Sequence, residues 1–166
     1  MLKNILQNWC EAVQGNILSI ERVGEESELR MDRVAVYGTL KRGQENHCVL
    51  AGSQFLGIDR LARIVLYDLG AYPAARLGES SGIEVEVYAV ESETLKALDR
   101  LEEYDPLHEE GSLYRRTVIA SAFGNVWIYL YNGTLAGRRP IKQGSWTPRA
   151  RGSSASEVAA STGASR

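Results

Sequence analysis

The sequence has no apolar run long enough to cross a membrane as a helix, so no membrane association is predicted. It also has no excess of basic residues. Lys and Arg number 19 against 21 Asp and Glu, giving a formal net charge of -2, and nucleic acid is therefore not an expected partner.

Residue types that bind metals or form cross-links are scarce. The chain has only 2 His and 2 Cys, without the close spacing of a zinc site. Cys10 and Cys48 are too few and too far apart to indicate a disulfide framework, so a reducing cytoplasm is the predicted location.

What remains is an ordinary globular composition, 44% hydrophobic and 24% charged over 166 residues, which fits one domain with a sizeable core. Residues 1–30 form an N-terminal extension in which Leu2, Ile5, Leu6 and Trp9 recur at helical spacing. Two interpretations stay open, a helix that packs on the domain or a dispensable extension. The domain covers 31–146. Residues 147–166, rich in Ser, Ala and Gly, form a tail predicted to be disordered.

The domain opens with a short apolar strand, Val34 to Val36, that breaks at Gly38 and is followed by a basic turn ending at Gly43. Gly38 is interpreted as supplying backbone angles that a residue with a Cβ resists. Such a loop can aim several N–H groups at one point and receive a carboxylate or an oxyanion. A plain strand-to-turn junction is the alternative.

One carboxylate falls on an apolar helix face. Residues 92–103 read as a helix capped by Ser92, and Glu102 lies four residues after Leu98 and seven after Leu95. Glu103 is turned about 100° away from that stripe. Burial raises the pKa of a carboxyl group, as a proton shuttle needs. Glu102 is therefore a candidate acid–base residue, unless it extends outward from the helix end.

Two strands have a clear alternation. In residues 83–90 the charged face carries Glu86, a second candidate for acid–base work or a residue of a solvated face. In residues 125–131 one face is aromatic, with Trp127, Tyr129 and Tyr131, and either walls a cavity or forms a second core face. Residues 70–78, which precede both strands, are predicted to be irregular because Gly and Pro interrupt them.

Four segments together resemble the γ-glutamylcyclotransferase-like family. They are Tyr37–Leu40 (Tyr-Gly-Thr-Leu), Leu66–Ala74 with its Tyr-Pro pair, Leu98–Glu102 (Leu-Asp-x-x-Glu) and Leu113–Arg116 with Tyr-x-Arg. The order of the segments is that of the family, and the resemblance extends over about residues 33–146. Threonine in the opening loop makes the chain most similar to the γ-glutamylamine cyclotransferase-type branch.

The resemblance implies a fold, a site and a set of partners. The fold is α+β, a small mixed domain whose antiparallel strands curl into a barrel with flanking helices. Glu102 is the implied catalytic residue, and Tyr37, Gly38, Thr39 and Leu40 are the implied substrate-binding residues. No metal or cofactor is implied. The expected partner is a small γ-glutamyl compound, bound by a monomer or weak dimer.

The implied reaction is cleavage of a γ-glutamyl amide by its own α-amine, which releases 5-oxoproline and a free amine. Such an enzyme is classed with acyltransferases or lyases. Two alternatives remain: a non-catalytic small-molecule binding module on the same fold, and removal of a γ-glutamyl protecting group in a biosynthetic pathway. The presence of Glu102 favours an enzyme, because a degenerate copy would be expected to lose that carboxylate first.

Overall fold

The computed structural model of the protein describes residues 31–148, and the predicted N-terminal helix and most of the predicted tail lie outside this range. No helix among the described residues is long and apolar enough to span a membrane. The strands are β1 Asp32–Val36, β2 Gln54–Leu61, β3 Ile64–Asp68, β4 Pro73–Leu77, β5 Ile83–Val90, β6 Tyr114–Ser121 and β7 Gly124–Tyr131. The α-helix is α1, Ser92–Leu101, and short 3-10 turns occupy His47–Leu50 and Glu109–Gly111.

Five strands form one sheet in the order β2-β5-β1-β7-β6. The β2–β5, β5–β1 and β7–β6 pairs are antiparallel, as predicted. The β1–β7 pair differs, because Val34 faces Trp127 in a parallel pairing. The sheet is therefore mixed, and the α+β class is confirmed.

The sheet curls until its two edge strands meet. The backbone N–H of Ala122, at the β6–β7 turn, donates to Asp59 Oδ2 on β2 at 2.7 Å. Next to this bond the ring of Phe123 lies over Gly57, where β2 is irregular and φ is 154°. The β3–β4 hairpin packs inside the curl through Leu66, whose carbonyl also accepts the N–H of Ile141. These contacts produce the predicted barrel.

Alternation along the strands builds a core on each face of the sheet: an inner core that includes the β3–β4 hairpin, and an outer core that includes α1. On β7, Ile128 and its same-face neighbours belong to the inner core, whereas Tyr129 packs in the outer core with Leu95 and Leu98 of α1. Strand β5 is covered on both sides, so seven of its eight residues are buried. Of the two alternatives for the aromatic face of β7, a cavity wall or a second core face, the structure therefore shows the core face.

Two local predictions are wrong. Helix α1 begins at Ser92, but Glu91 is the N-cap and no side chain caps the first turn. Residues 73–77 form strand β4, although an irregular stretch was predicted here. The strand tolerates Pro73 because this residue occupies its first position, where a missing N–H does little harm. The prediction that the cysteines form no disulfide framework involves Cys10, which lies outside the described residues.

Candidate active site

Glu102 lies at the C-cap of α1 and faces the sheet. Its N–H donates to the carbonyl of Leu98 at 3.0 Å, so the residue continues the helical path by one position. Leu95 and Leu98 are buried beneath it and Glu103 is exposed, as the spacing predicted. Helix geometry therefore turns the carboxyl group of Glu102 towards the protein and that of Glu103 towards solvent.

The carboxyl group of Glu102 is partly desolvated and has no hydrogen-bond partner among the described residues. The residue keeps part of its surface exposed, yet burial of the carboxyl group raises its pKa to about 8. Among residues 31–148 no donor is hydrogen-bonded to it. Burial raises the pKa of the Tyr37 and Tyr114 phenols, and the nearby charge of Glu102 raises both further. An uncompensated carboxyl group beside tyrosines is typical of a functional site.

The opening loop presents a row of unpaired donors. Within the described part of the chain, the N–H groups of Gly38, Thr39 and Leu40 have no acceptor. The carbonyls of the same loop are hydrogen-bonded: that of Gly38 accepts the N–H of Lys41 at 3.0 Å, and that of Thr39 accepts the N–H of Asn46 at 3.0 Å. The Asn46 amide also donates to Thr39 Oγ1 at 3.0 Å. The loop is thus held in shape with its donors available, as anion recognition requires.

Gly38 is needed for space and not for its backbone angles. Its φ is outside the left-handed region, which corrects the conformational interpretation of this residue. A Cβ at this position would stand 2.7 Å from Pro73 Cγ and 2.9 Å from Pro73 Cδ. Glycine here lets the Tyr-Pro segment approach the loop, and Tyr114 donates to the carbonyl of Pro73 at 3.4 Å.

Two of the four predicted binding residues place their side chains in the core. The Tyr37 hydroxyl donates to the backbone carbonyl of Tyr129 at 2.7 Å, and the ring belongs to the inner core. Leu40 packs in the outer core. What these residues could offer a ligand is therefore the backbone N–H of Leu40 and the buried phenol beside Glu102.

Glu86 has a different environment from Glu102. It accepts the backbone N–H of Arg42 at 2.9 Å and the hydroxyl of Tyr88 at 2.7 Å, and the Arg42 guanidinium lies 3.4 Å away. Burial acts to raise the pKa of Glu86, but the Arg42 N–H, the Tyr88 hydroxyl and the Arg42 charge outweigh it, and the pKa is lowered. Glu86 is an ionised anchor for the loop, so neither predicted role, proton shuttle or solvated face, describes it.

A family model described as "Gamma-glutamyl cyclotransferase, AIG2-like" matches residues 34–148. The chain belongs to this cyclotransferase family. A candidate gamma-glutamylcyclotransferase of Vibrio cholerae is 43% identical over 117 residues, which cover 70% of this chain and 96% of the relative. The gamma-glutamylcyclotransferase family protein YtfP of Escherichia coli K12 is 33% identical over 117 residues, 70% of this chain and 97% of YtfP.

A solved structure supports the same assignment. The crystal structure of an uncharacterised protein from Pyrococcus horikoshii matches with a TM-score of 0.57 and 31% identity, over 69% of this chain and 88% of the other. The gamma-glutamyl cyclotransferase fold predicted from the sequence is thus confirmed.

Two residues near Glu102, Tyr114 and Asp99, were not predicted from the sequence to belong to the site of this family member. The hydroxyl of Tyr114 donates to the carbonyl of Pro73, and the charge of Glu102 raises the pKa of this phenol. Asp99 forms a network with Arg116 and Tyr129 just before Glu102. Both lie within the segments that carried the resemblance, so the signal was present as motif membership, but no spacing rule assigned either side chain a contact.

Proposed function

We propose that the protein cleaves a γ-glutamyl amide by intramolecular attack of the substrate's α-amine, releasing 5-oxoproline and a free amine. One observation carries the proposal: the partly desolvated, unpaired carboxyl group of Glu102 lies beside the buried phenol of Tyr37, which precedes the unpaired N–H groups of residues 38–40. Family membership supports the cyclotransferase class.

The loop recognises negative charge through its backbone. The basic side chains around it already have partners: Lys41 pairs with Glu84 at 2.6 Å and Arg42 with Glu86. Arg76 donates to the carbonyl groups of residues 131–133. The N–H groups of Gly38, Thr39 and Leu40 are left to receive the substrate's α-carboxylate or the oxyanion that develops on the amide.

Glu102 moves one proton in each half of the reaction. A bound α-ammonium group supplies a positive charge that lowers the pKa of Glu102 again, so the carboxylate can form. The α-ammonium group first loses one proton to solvent, and the carboxylate accepts a second as the amine nitrogen bonds to the γ-carbonyl carbon and closes a five-membered ring. The carboxylic acid then returns a proton to the leaving nitrogen as the original carbon–nitrogen bond breaks, and Glu102 ends as it began.

Threonine at position 39 supports γ-glutamyl amines as the first substrate class to examine, because the resemblance is to that branch. Release of a γ-glutamyl protecting group would use the same atoms and differ only in the leaving amine. We expect purified protein to release 5-oxoproline from at least one member of a panel of γ-glutamyl amines, γ-glutamyl amino acids and glutathione. Binding of such compounds without release, under conditions where Glu102 is ionised, would favour the binding-module alternative.

A further inference from the structure

Three side chains hold the end of α1 to the sheet. Asp99 Oδ1 and Oδ2 accept Arg116 Nη1 at 2.9 and 2.8 Å, and Asp99 Oδ1 also accepts the Tyr129 hydroxyl at 2.7 Å. The Arg116 guanidinium lies 4.7 Å from the ring centroid of Trp127 and 5.3 Å from that of Tyr104. Asp99 and Arg116 are each only 16% exposed, so the pair is largely removed from solvent.

The backbone of Asp99 also fixes the helix terminus. Its carbonyl accepts the N–H of Tyr104 at 2.9 Å, while the N–H of Glu103 points to the carbonyl of Arg100 at 3.3 Å. With Glu103 at a φ of 50°, these are the two bonds of a Schellman motif. Glu102 is the C-cap of this motif, so Asp99 controls the turn from which that carboxyl group extends.

Tyr129 connects this turn to the opening loop. Its hydroxyl donates to Asp99, and its backbone carbonyl accepts the hydroxyl of Tyr37 at 2.7 Å. Tyr129 of β7 is therefore hydrogen-bonded both to the residue before the loop donors and to the helix turn that carries Glu102. The two attachments are chemically separate, since a side-chain change at Asp99 or Arg116 leaves the carbonyl of Tyr129 in place.

We propose that Asp99, held by Arg116 and Tyr129, is the positioning residue that keeps the carboxyl group of Glu102 in its partly desolvated place against the sheet. The kinetic part of this inference rests on the proposed function; the placement of Glu102 does not. Loss of the network frees the last turn of α1, and the carboxyl group becomes more accessible to water. Misplacement of a reacting group by about 1 Å can cost about 100-fold in rate.

The first experiment follows the Glu102 carboxyl carbon by NMR titration of the full chain in four variants: Asp99→Ala, Arg116→Ala, Tyr129→Phe and, as a control, Lys96→Ala. We expect the pKa of Glu102 to fall from about 8 towards its ordinary value of 4.5 in both Asp99→Ala and Arg116→Ala. Tyr129→Phe, which keeps the ion pair, should give a smaller fall in the same direction. Lys96→Ala removes only the exposed pair with Glu93 on the same helix and should change nothing.

The sign of the changes separates positioning from a direct effect of charge. If Asp99 and Arg116 acted on Glu102 only through their fields, removal of the anion would lower its pKa and removal of the cation would raise it. Opposite shifts, or no shift in either variant, would overturn the inference. Tyr129→Phe still decides the matter if an ion-pair variant fails to fold, because a Glu102 pKa unchanged by loss of this hydroxyl would contradict the positioning network.

The second experiment uses turnover of a γ-glutamyl compound. We expect kcat to fall by about 10- to 100-fold in Asp99→Ala while KM stays close to that of the unaltered protein, because the loop donors keep their own anchor. A rise in KM with kcat unchanged would contradict a role in positioning Glu102. If the unaltered protein turns over no γ-glutamyl compound, the proposed function fails alone, and the NMR titration still decides whether Asp99 positions Glu102.

Discussion

The ring of Pro73 lies against Gly38 so closely that a Cβ at position 38 would stand 2.7 Å from Pro73 Cγ. The loop and the Tyr-Pro segment are therefore complementary surfaces, and the shape of the candidate site depends on the absence of one methyl group.

Gly38→Ala should lower turnover by about 100-fold, because the loop or Pro73 must move and displace a backbone donor. Thr39→Ala keeps its backbone donor and should lose much less. Gly111→Ala is the matched control, since a Cβ there meets no atom within 4 Å. Turnover and Tm should be measured together, so that unfolding is not mistaken for lost catalysis. A fully active Gly38→Ala variant would remove the oxyanion role from this loop.

Glu102→Gln should abolish turnover while the fold survives, since Gln has the same size but cannot carry the proton. The expected loss is about 10²- to 10⁴-fold in kcat, the usual contribution of a general acid–base residue. Glu86→Gln should be milder in kcat, because Glu86 is ionised and bonded to the loop. The reverse ranking in kcat, at equal folded fraction, would transfer the role to Glu86.

The pH dependence of kcat/KM should rise tenfold per pH unit in acid and level off near pH 8, the range in which Glu102 loses its proton. The acid limb of kcat should lie at lower pH, since a bound α-ammonium group lowers the pKa of Glu102 in the complex. The α-amine of the free substrate titrates in the same range and must be measured separately. A profile flat between about pH 6 and 9 would conflict with a raised pKa in the catalytic group.

The pH dependence of the free energy of unfolding should reveal the raised pKa of Glu102 in the absence of substrate. The pKa of Glu102 is raised on folding, so its protonated form is favoured and the native state loses stability as pH rises from 4.5 to about 8. Glu102→Gln lacks this titration. The variant should gain stability relative to the unaltered protein across that window, by at most about 1.4 kcal/mol per pH unit. Chemical denaturation at pH 5 and pH 9 measures the gap, and an equal gap at both would contradict the shift.

Glu86→Gln should act in the opposite direction on stability. The pKa of Glu86 is lowered on folding, so its contribution is present above 4.5 and is lost as pH falls further. At pH 7 the variant should unfold about 1.5–3 kcal/mol more easily, the usual cost of hydrogen bonds to a charged group. The neighbouring Glu84→Gln, which removes a more exposed partner of Lys41, should cost less. Equal losses would show that burial of Glu86 adds nothing.

The sequence predicted those features that depend on local spacing. Alternation in β7 correctly separated Ile128 from Tyr129, and helical spacing correctly placed Glu102 inward and Glu103 outward. Strand β4 was missed because Pro73 and the flanking glycines resemble a turn, while its pairing with β3 supplies the hydrogen bonds that make it a strand.

Features that depend on distant partners were not predictable in this way. The parallel pairing of Val34 with Trp127 leaves no mark in either segment. The role of Glu86 depends on the backbone N–H of Arg42, 44 residues away, which no pattern around Glu86 indicates. The closeness of Gly38 to Pro73 likewise became visible only after folding brought the two segments together.

The central position of β1 has a consequence for synthesis of the chain. Its two neighbours, β5 and β7, both come much later, and the Tyr37–Tyr129 bond spans 92 residues. As the chain leaves the ribosome, both edges of β1 therefore stay unpaired until β5 and then β7 have emerged. Contacts of such long range slow folding, and exposed strand edges invite aggregation. Partial chains that end before β7 should be the species most dependent on chaperones.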